Sequence, residues 1–193
     1  MAVPADRRGM EKEQFMQSGK PAVFLDRDGV LTREQSYVCS VKDLYIFPYA
    51  AECVRRIHEK GYFAIVITNQ SGVARGLFTE ETLWEMNDYL KRQTGVDAVY
   101  YCPHHPEGSI EAYRKKCCCR KPGTGMFREA CEAFGIDMSC SYMVGDRAGD
   151  ILAGQNAGAK TILVESGYGT AGLESEVTPD YVLRDLREVV EVL

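Results

Sequence analysis

The stretch KPAVFLDRDGVLT, residues 20–32, decides the fold prediction. A short apolar run (22–25) leads directly into Asp26 and Asp28, and Gly29 follows the pair. A continuous apolar run is typical of a strand that is covered on both faces of a parallel sheet. The two aspartates repel each other, and a shared cation would remove that repulsion. The stretch therefore predicts a buried strand that ends at a polar site.

The rest of the chain alternates between apolar runs and helical patterns. Strands are predicted at 22–25, 62–68, 98–101, 142–144, 161–164 and 181–183, and helices at 50–60, from 79 onward, and at 126–134, 150–156 and 186–193. This alternation implies a doubly wound, Rossmann-like α/β fold, with a parallel sheet and helices on both faces. Residues 1–19 are expected to form a disordered or frayed extension, and 20–193 a single domain without a large cap.

Length, charge and hydropathy indicate which classes of partner the protein is expected to have. The 193 residues carry a net charge of −5 at pH 7, which gives no whole-chain attraction to nucleic acid or to an anionic membrane. No apolar run approaches the length of a membrane span, and the polar N-terminus has no signal-peptide stretch. We therefore expect a cytoplasmic protein, a monomer by default, with a small-molecule partner and neither nucleic acid nor membrane.

Polar clusters fall at predicted strand ends, where ligands sit in open parallel sheets. They are Asp26-Arg27-Asp28, 68–71 (TNQS) and Gly145-Asp146. A further pair, Arg120-Lys121, lies in a loop before a predicted helix. Asp26, Asp28 and Asp146 offer the oxygen ligands that Mg²⁺ prefers, and two carboxylates beside one cation can act as nucleophile and general acid/base. Thr68 and Lys121 offer a hydroxyl and a charge to a phosphoryl group. Each cluster alone also fits a turn or a helix cap, but their joint order and placement indicate one site.

A second group of candidate ligands lies in YYCPHHPEGSIEAYRKKCCCRKP, residues 100–122. In an extended chain, residues two apart point the same way, and this rule groups Cys102 with His104 and Cys117 with Cys119. Four such ligands make a closed, structural Zn²⁺ site and define a zinc loop at 102–119. Cys118 and His105 are alternative ligands that the alternation disfavours. The other interpretation is reduced cysteines beside solvated histidines. A zinc site here would position Arg120 and Lys121, which follow the last ligand.

The motifs DRDGV, TNQ, RKP and VGD resemble, in this order, the four motifs of haloacid-dehalogenase-superfamily phosphatases. The resemblance covers nearly the whole chain after the N-terminal extension. It implies that Asp26 is the nucleophile that forms an aspartyl-phosphate, and that Asp28 protonates the leaving group and then activates water. It also implies that Thr68 and Lys121 hold the phosphoryl group. Asp146 would join Asp26 and the backbone carbonyl of Asp28 on Mg²⁺.

Further motifs, SYV, TNQSGVARG, YYCPHHPEGS, CRKP and MVGD, resemble the zinc-loop family of D-glycero-D-manno-heptose-1,7-bisphosphate 7-phosphatases. That resemblance implies a sugar-phosphate substrate from the synthesis of nucleotide-activated heptose for bacterial surface polysaccharide. It places the substrate pocket at Glu34, Gln35, Ser36, Tyr37, Asn69, Gln70, Ser71, Arg120 and Arg147. Arg120 is expected to recognise the second phosphate or sugar hydroxyls, because a guanidinium fork suits such oxygens. Family members often carry lysine where this chain has Arg147.

Three alternatives stay open at this point. Histidinol-phosphate phosphatases share the fold and the zinc loop, but they usually carry aspartate where this chain has Ser71. Polynucleotide 3′-phosphatases have a similar TNQ segment followed by Arg-Gly, although the acidic balance and the lack of a long basic stripe speak against a nucleic-acid substrate. The third is a catalytically dead zinc-binding scaffold, which has no physical need for the full set of acids, threonine and lysine.

Overall fold

A computed structural model of the protein describes residues 19–193, and the predicted extension at 1–19 lies outside the described residues except for Gly19. Within this range six parallel strands form one sheet in the order β3-β2-β1-β4-β5-β6. The strands are β1 Ala22–Leu25, β2 Phe63–Asn69, β3 Ala98–Cys102, β4 Tyr142–Gly145, β5 Lys160–Val164 and β6 Tyr181–Leu183. The helices are α1 Ala50–Glu59, α2 Glu80–Thr94, α3 Gly125–Phe134, α4 Ala148–Ala157 and α5 Leu186–Val192.

Strand β1 runs through the centre of the sheet and pairs with β2 on one side and β4 on the other. Its four side chains are all buried. Val23 and Leu25 pack into an apolar cluster with residues of α1, α2 and α5, whereas Ala22 and Phe24 pack into the opposite cluster with residues of α3. Both faces of the strand are covered, which explains its continuous apolar run. The doubly wound α/β prediction is confirmed.

Side-chain hydrogen bonds to backbone N–H groups mark the starts of helices α2 and α4. Helix α2 begins after Thr79, whose hydroxyl accepts a hydrogen bond from the N–H of Thr82 (3.2 Å). Helix α4 begins at Ala148, before the predicted start at 150, because the Asp150 carboxylate accepts a hydrogen bond from the N–H of Arg147 (3.1 Å) and so completes the first turn. No helix within residues 19–193 is both long and apolar enough to cross a membrane.

The carboxyl ends of β1, β2 and β4 meet at one edge of the sheet, because all three strands are parallel neighbours. Asp26 follows β1, and its N–H donates to the carbonyl of Val144 in β4 (2.9 Å). Gly29 turns the chain behind the aspartates with φ +87°, and a Cβ there would collide with the carboxylate of Asp146. The turn therefore requires glycine, and it brings the loop after β1 against the end of β4.

Candidate active site

The predicted site residues converge on a cleft of about 290 Å³ at this edge of the sheet. Its walls include Asp26, Asp28, Glu34, Ser36, Tyr37, Thr68, Asn69, Gln70, Ser71, Arg120, Lys121 and Arg147. Asp146 lies next to the cleft and is fully buried. Gln35 is the predicted pocket residue that does not line the cleft. Its side chain is exposed and donates to the carbonyl of Asp43 (3.2 Å), which holds it on the outer side of the loop.

Lys121 supplies the positive charge at the floor of the cleft. Its ammonium lies 2.9 Å from Asp26 Oδ1 and 2.6 Å from Asp150 Oδ1, and it donates to the carbonyl of Ile67 (2.8 Å). Burial works to lower the pKa of Lys121, but the carboxylates of Asp150 and Asp26 outweigh it and raise the pKa. The side-chain amide of Asn69 accepts from the N–H of Lys121 (3.0 Å) and donates to its carbonyl (3.2 Å). The lysine is thus charged and fixed in place.

An acid cluster, made of Asp26, Asp146 and Asp150, lies beside this lysine. One oxygen from each carboxylate lies within 4.8 Å of the others. Burial raises the pKa of Asp26 to about 6 and that of Asp146 to about 8; neighbouring carboxylates push both upward, and Lys121 opposes the shift at Asp26. Among the described residues, Asp146 Oδ1 has no hydrogen-bond partner, and Asp26 Oδ1 has only the ion contact with Lys121. Crowded, under-satisfied buried acceptors of this kind suit a divalent cation.

Asp150 is the member of the acid cluster that sequence reasoning missed. Its Oδ1 contacts Lys121, while its Oδ2 accepts from the backbone N–H of Asp146 (3.2 Å) and of Arg147 (3.1 Å). The prediction treated it as the first residue of a helix. A usable signal was its position close after Asp146, near the start of the helix that follows β4, because that helix start lies at the carboxyl edge of the sheet.

The carboxylate of Asp28 lies outside the acid cluster and is held by other side chains. Arg27 donates to it from Nε (3.2 Å) and Nη2 (2.9 Å), Gln70 from its amide (3.0 Å), and Thr32 from its hydroxyl (3.0 Å). Burial works to raise the pKa of Asp28, but these donors, led by Arg27, lower it. Arg27 is itself buried and also donates to Asn87 (3.3 Å). Sequence analysis assigned no role to Arg27, Thr32 or Asn87, because their partners are set by the fold.

The amides of Asn69 and Gln70 are occupied by protein groups. Asn69 pairs with the backbone of Lys121, as described above. Gln70 donates to Asp28 and to Thr68 Oγ1 (2.9 Å) and accepts from Arg27 (3.0 Å). Both residues line the cleft, as predicted, but their side chains orient the groups at its floor.

The rim of the cleft carries two arginines. The guanidinium of Arg147 lies over the ring of Tyr168 (3.8 Å to the ring centroid), and its Nη2 lies 3.2 Å from Glu34 Oε2. The guanidinium of Arg120 donates to the carbonyl of His104 (3.4 Å), which links the rim to the loop after β3. Tyr168 received no role in the sequence analysis, because it lies far along the chain in the segment after β5.

The four predicted zinc ligands, Cys102, His104, Cys117 and Cys119, form a Cys/His cluster. Their sulfur atoms lie 3.2–3.4 Å apart, and His104 Nδ1 lies 3.5 Å from Cys119 Sγ. A tetrahedron with Zn–S bonds of about 2.3 Å has edges of about 3.8 Å, so a small outward movement accommodates the ion. Cys118 is exposed, and the ring of His105 accepts from the N–H of Glu107 (3.1 Å). The prediction from alternating side-chain directions therefore picked the four residues whose ligand atoms lie together in the structure.

Comparison with known proteins decides the family. The chain is 42% identical over 179 residues to the D-glycero-beta-D-manno-heptose-1,7-bisphosphate 7-phosphatase of Haemophilus ducreyi, covering 89% of this chain and 97% of the relative. It is 40% identical to the Escherichia coli (strain K12) protein of the same name, covering 92% and 96%. This chain belongs to the D-glycero-beta-D-manno-heptose-1,7-bisphosphate 7-phosphatase family. A family model described as HAD-hydrolase-like matches residues 118–189, which include the Lys121 loop, β4 and α4.

A solved member of the heptose-bisphosphatase family has the same architecture. The D,D-heptose 1,7-bisphosphate phosphatase from B. bronchiseptica, crystallised with magnesium and phosphate, superposes with a TM-score of 0.76 at 33% identity, covering 89% of this chain and 97% of that one. The heptose-bisphosphatase family consists of phosphoric monoester hydrolases, so the chain is an enzyme of this class. The chain is therefore better interpreted as an enzyme than as a catalytically dead zinc-binding scaffold.

Proposed function

We propose that residues 20–193 act as one Mg²⁺-dependent phosphatase domain that removes the 7-phosphate from D-glycero-D-manno-heptose 1,7-bisphosphate through an aspartyl-phosphate. The observation that carries the proposal is the buried contact of Asp26 with Lys121 at the floor of the cleft, beside Asp146 Oδ1, which has no hydrogen-bond donor among the described residues. A nucleophilic carboxylate, a fixed cation and a cation-ready acid cluster are the parts that phosphoryl transfer needs.

The acid cluster suits Mg²⁺ by its chemistry. Its members offer hard oxygen ligands, and Asp146 Oδ1 is buried without a hydrogen-bond donor among the described residues. Asp26, Asp146 and the backbone carbonyl of Asp28 would hold the ion, with Asp150 next to them. When bound, Mg²⁺ offsets the charge of the carboxylates and of the phosphate, which would otherwise repel each other.

The side chains then act in two half-reactions. A carboxylate oxygen of Asp26 attacks phosphorus, the bond from phosphorus to the sugar oxygen breaks, and Asp28 gives its proton to that oxygen. Lys121 and Thr68 hold the phosphoryl oxygens during the transfer. Water then attacks the same phosphorus and gives its proton to Asp28, and the bond from phosphorus to Asp26 breaks. The donors around Asp28 favour its ionised form, which accepts the proton from water in the second half-reaction. The proton that Asp28 receives there is the one that it gives to the leaving oxygen in the next turnover.

The substrate assignment is supported by the named relatives and by the rim of the cleft. Arg120 and Arg147 both line it, so a ligand whose reacting phosphate sits at the floor meets cationic groups near the opening. A second phosphate would satisfy those groups, since a guanidinium binds phosphate oxygens in a two-pronged way. Glu34, Ser36, Tyr37 and Ser71 would contact the sugar. The cytoplasmic location, the monomeric state and the absence of a nucleic-acid or membrane partner stay predictions.

We also propose that the Cys/His cluster holds one structural Zn²⁺. Its four ligand atoms leave no position for water, which is typical of a site that orders a loop. Cys119 immediately precedes Arg120 and Lys121 in the chain, so zinc would hold these residues at the cleft. Cys118 stays outside this ligand set.

The test is phosphate release measured side by side from both anomers of heptose 1,7-bisphosphate, from histidinol phosphate and from a 3′-phosphorylated oligonucleotide, with and without Mg²⁺. We expect the highest kcat/KM on a heptose bisphosphate, and only with Mg²⁺. A dominant rate on histidinol phosphate would show that the substrate assignment is wrong while the mechanism stands. Absence of release from every substrate would contradict the proposal as a whole.

A further inference from the structure

We propose that Tyr168 is a positioning residue that stacks on Arg147 and thereby sets the preference for a substrate with a second phosphate. This inference rests on the proposed function, since it concerns the rim of the same cleft. The contact is a feature of the tertiary structure: Arg147 follows β4, whereas Tyr168 lies in the loop after β5.

Tyr168 and Glu34 together hold the guanidinium of Arg147. The guanidinium carbon lies 3.8 Å from the ring centroid of Tyr168, within the range of a close cation–π contact. Nη2 lies 3.2 Å from Glu34 Oε2, while Glu34 Oε1 accepts from the backbone N–H of Ser36 (2.8 Å). The guanidinium of Arg147 is thus held on one face by the Tyr168 ring and on one edge by the Glu34 carboxylate, although its side chain is 48% exposed.

The backbone of Tyr168 is itself tied to the acid cluster. The backbone N–H of Tyr168 donates to Asp146 Oδ2 (2.9 Å), and Asp146 belongs to the acid cluster. The distance between the reacting end of the cleft and the stacked guanidinium is therefore set by short, local connections. A guanidinium that is fixed relative to the acid cluster suits a ligand that carries anionic groups at both of its ends.

The arrangement leaves part of the guanidinium for a ligand. Among residues 19–193, Arg147 Nη1 has neither a hydrogen bond nor an ion pair, whereas Nη2 faces Glu34 and Nε lies 3.9 Å from Asp146 Oδ1. Arginine is planar and stacks on aromatic rings, and lysine is a compact charge on a flexible stem. The stack therefore matters for arginine at this position and would contribute little to lysine.

The experiment compares KM for heptose 1,7-bisphosphate with KM for p-nitrophenyl phosphate, which has one phosphate. Tyr168→Leu is expected to raise KM for the bisphosphate about two- to fivefold, the range of an exposed cation–π contact, while KM for p-nitrophenyl phosphate stays near its original value. Tyr168→Phe, which keeps the ring face, should retain the original ratio of the two KM values. Tyr181→Leu changes a similarly exposed tyrosine on β6 and serves as the matched control.

The stacking geometry is tested on an Arg147→Lys background. There, Tyr168→Leu should produce no further change in the KM ratio, because the planar partner is gone. An equal rise in both KM values, or an unchanged ratio in Tyr168→Leu, would overturn the inference while the bisphosphatase activity stands. A wild-type enzyme that shows no preference for the bisphosphate would overturn the proposed function and this inference together.

Discussion

The acid cluster and the Cys/His cluster are both groups of ligand residues, but the chain assembles them differently. The acid cluster combines Asp26, which follows β1, with Asp146 and Asp150, which lie much later in the chain after β4 and on helix α4. The Cys/His cluster comes from one segment, 102–119, and closes on itself. Asp26 and Asp150 of the acid cluster line the cleft, whereas the four residues of the Cys/His cluster direct their ligand atoms at one another. The difference fits the proposal that the acid cluster performs the chemistry and that the Cys/His cluster orders a loop.

The largest effect is expected at the nucleophile. Asp26→Asn should lower kcat by about a thousandfold or more, because the amide oxygen cannot form the aspartyl-phosphate. The fold should persist, since the change removes one of three crowded buried carboxylates. Phosphate release and circular dichroism check both parts. Activity at the original rate would contradict the role of the acid cluster.

The next largest effect is expected at Lys121. Lys121→Met should reduce kcat by about a hundredfold or more, because the substitution removes the charge that contacts Asp26 and Asp150. Lys116→Met changes an exposed lysine of the neighbouring loop and is the control. If both variants lose the same activity, loss of positive charge in general is responsible, and the specific role of Lys121 is wrong.

The Cys/His cluster should affect stability more than chemistry. Cys119→Ser should abolish binding of about one zinc per chain and lower the melting temperature by about 5 °C or more, because the loop loses its closure. Cys118→Ser, the exposed neighbour, should keep the metal content. Elemental analysis and thermal unfolding measure the two outcomes. Zinc loss in Cys118→Ser with retention in Cys119→Ser would reverse the ligand assignment.

The smallest effect is expected at the support of Asp28. Arg27→Lys should lower kcat about tenfold with little change in KM, because a lysine cannot donate from two nitrogens to the carboxylate. On an Asp28→Asn background the same change should have no further effect. Arg55→Lys, on the exposed face of α1, is the control. An effect on KM alone would mean that Arg27 acts on substrate binding.

The sequence predicted the architecture and the approximate location of the site. Parallel strands end at a common edge, so Asp26, Thr68 and Asp146 could be brought together from their positions at strand ends alone. The four members of the Cys/His cluster followed from alternation within one segment. Both inferences use rules that depend on local conformation and on chain order, which the sequence contains directly.

Tertiary structure decided how each side chain is used. Asp150 joins the acid cluster through its position on α4, and Asn69 and Gln70 use their amides to orient protein groups. Gln35 points outward, and Tyr168 reaches Arg147 from a distant loop. These outcomes depend on contacts between segments far apart in the chain. A residue type and its spacing specify which bonds are available, whereas the packed fold determines which partner lies within reach.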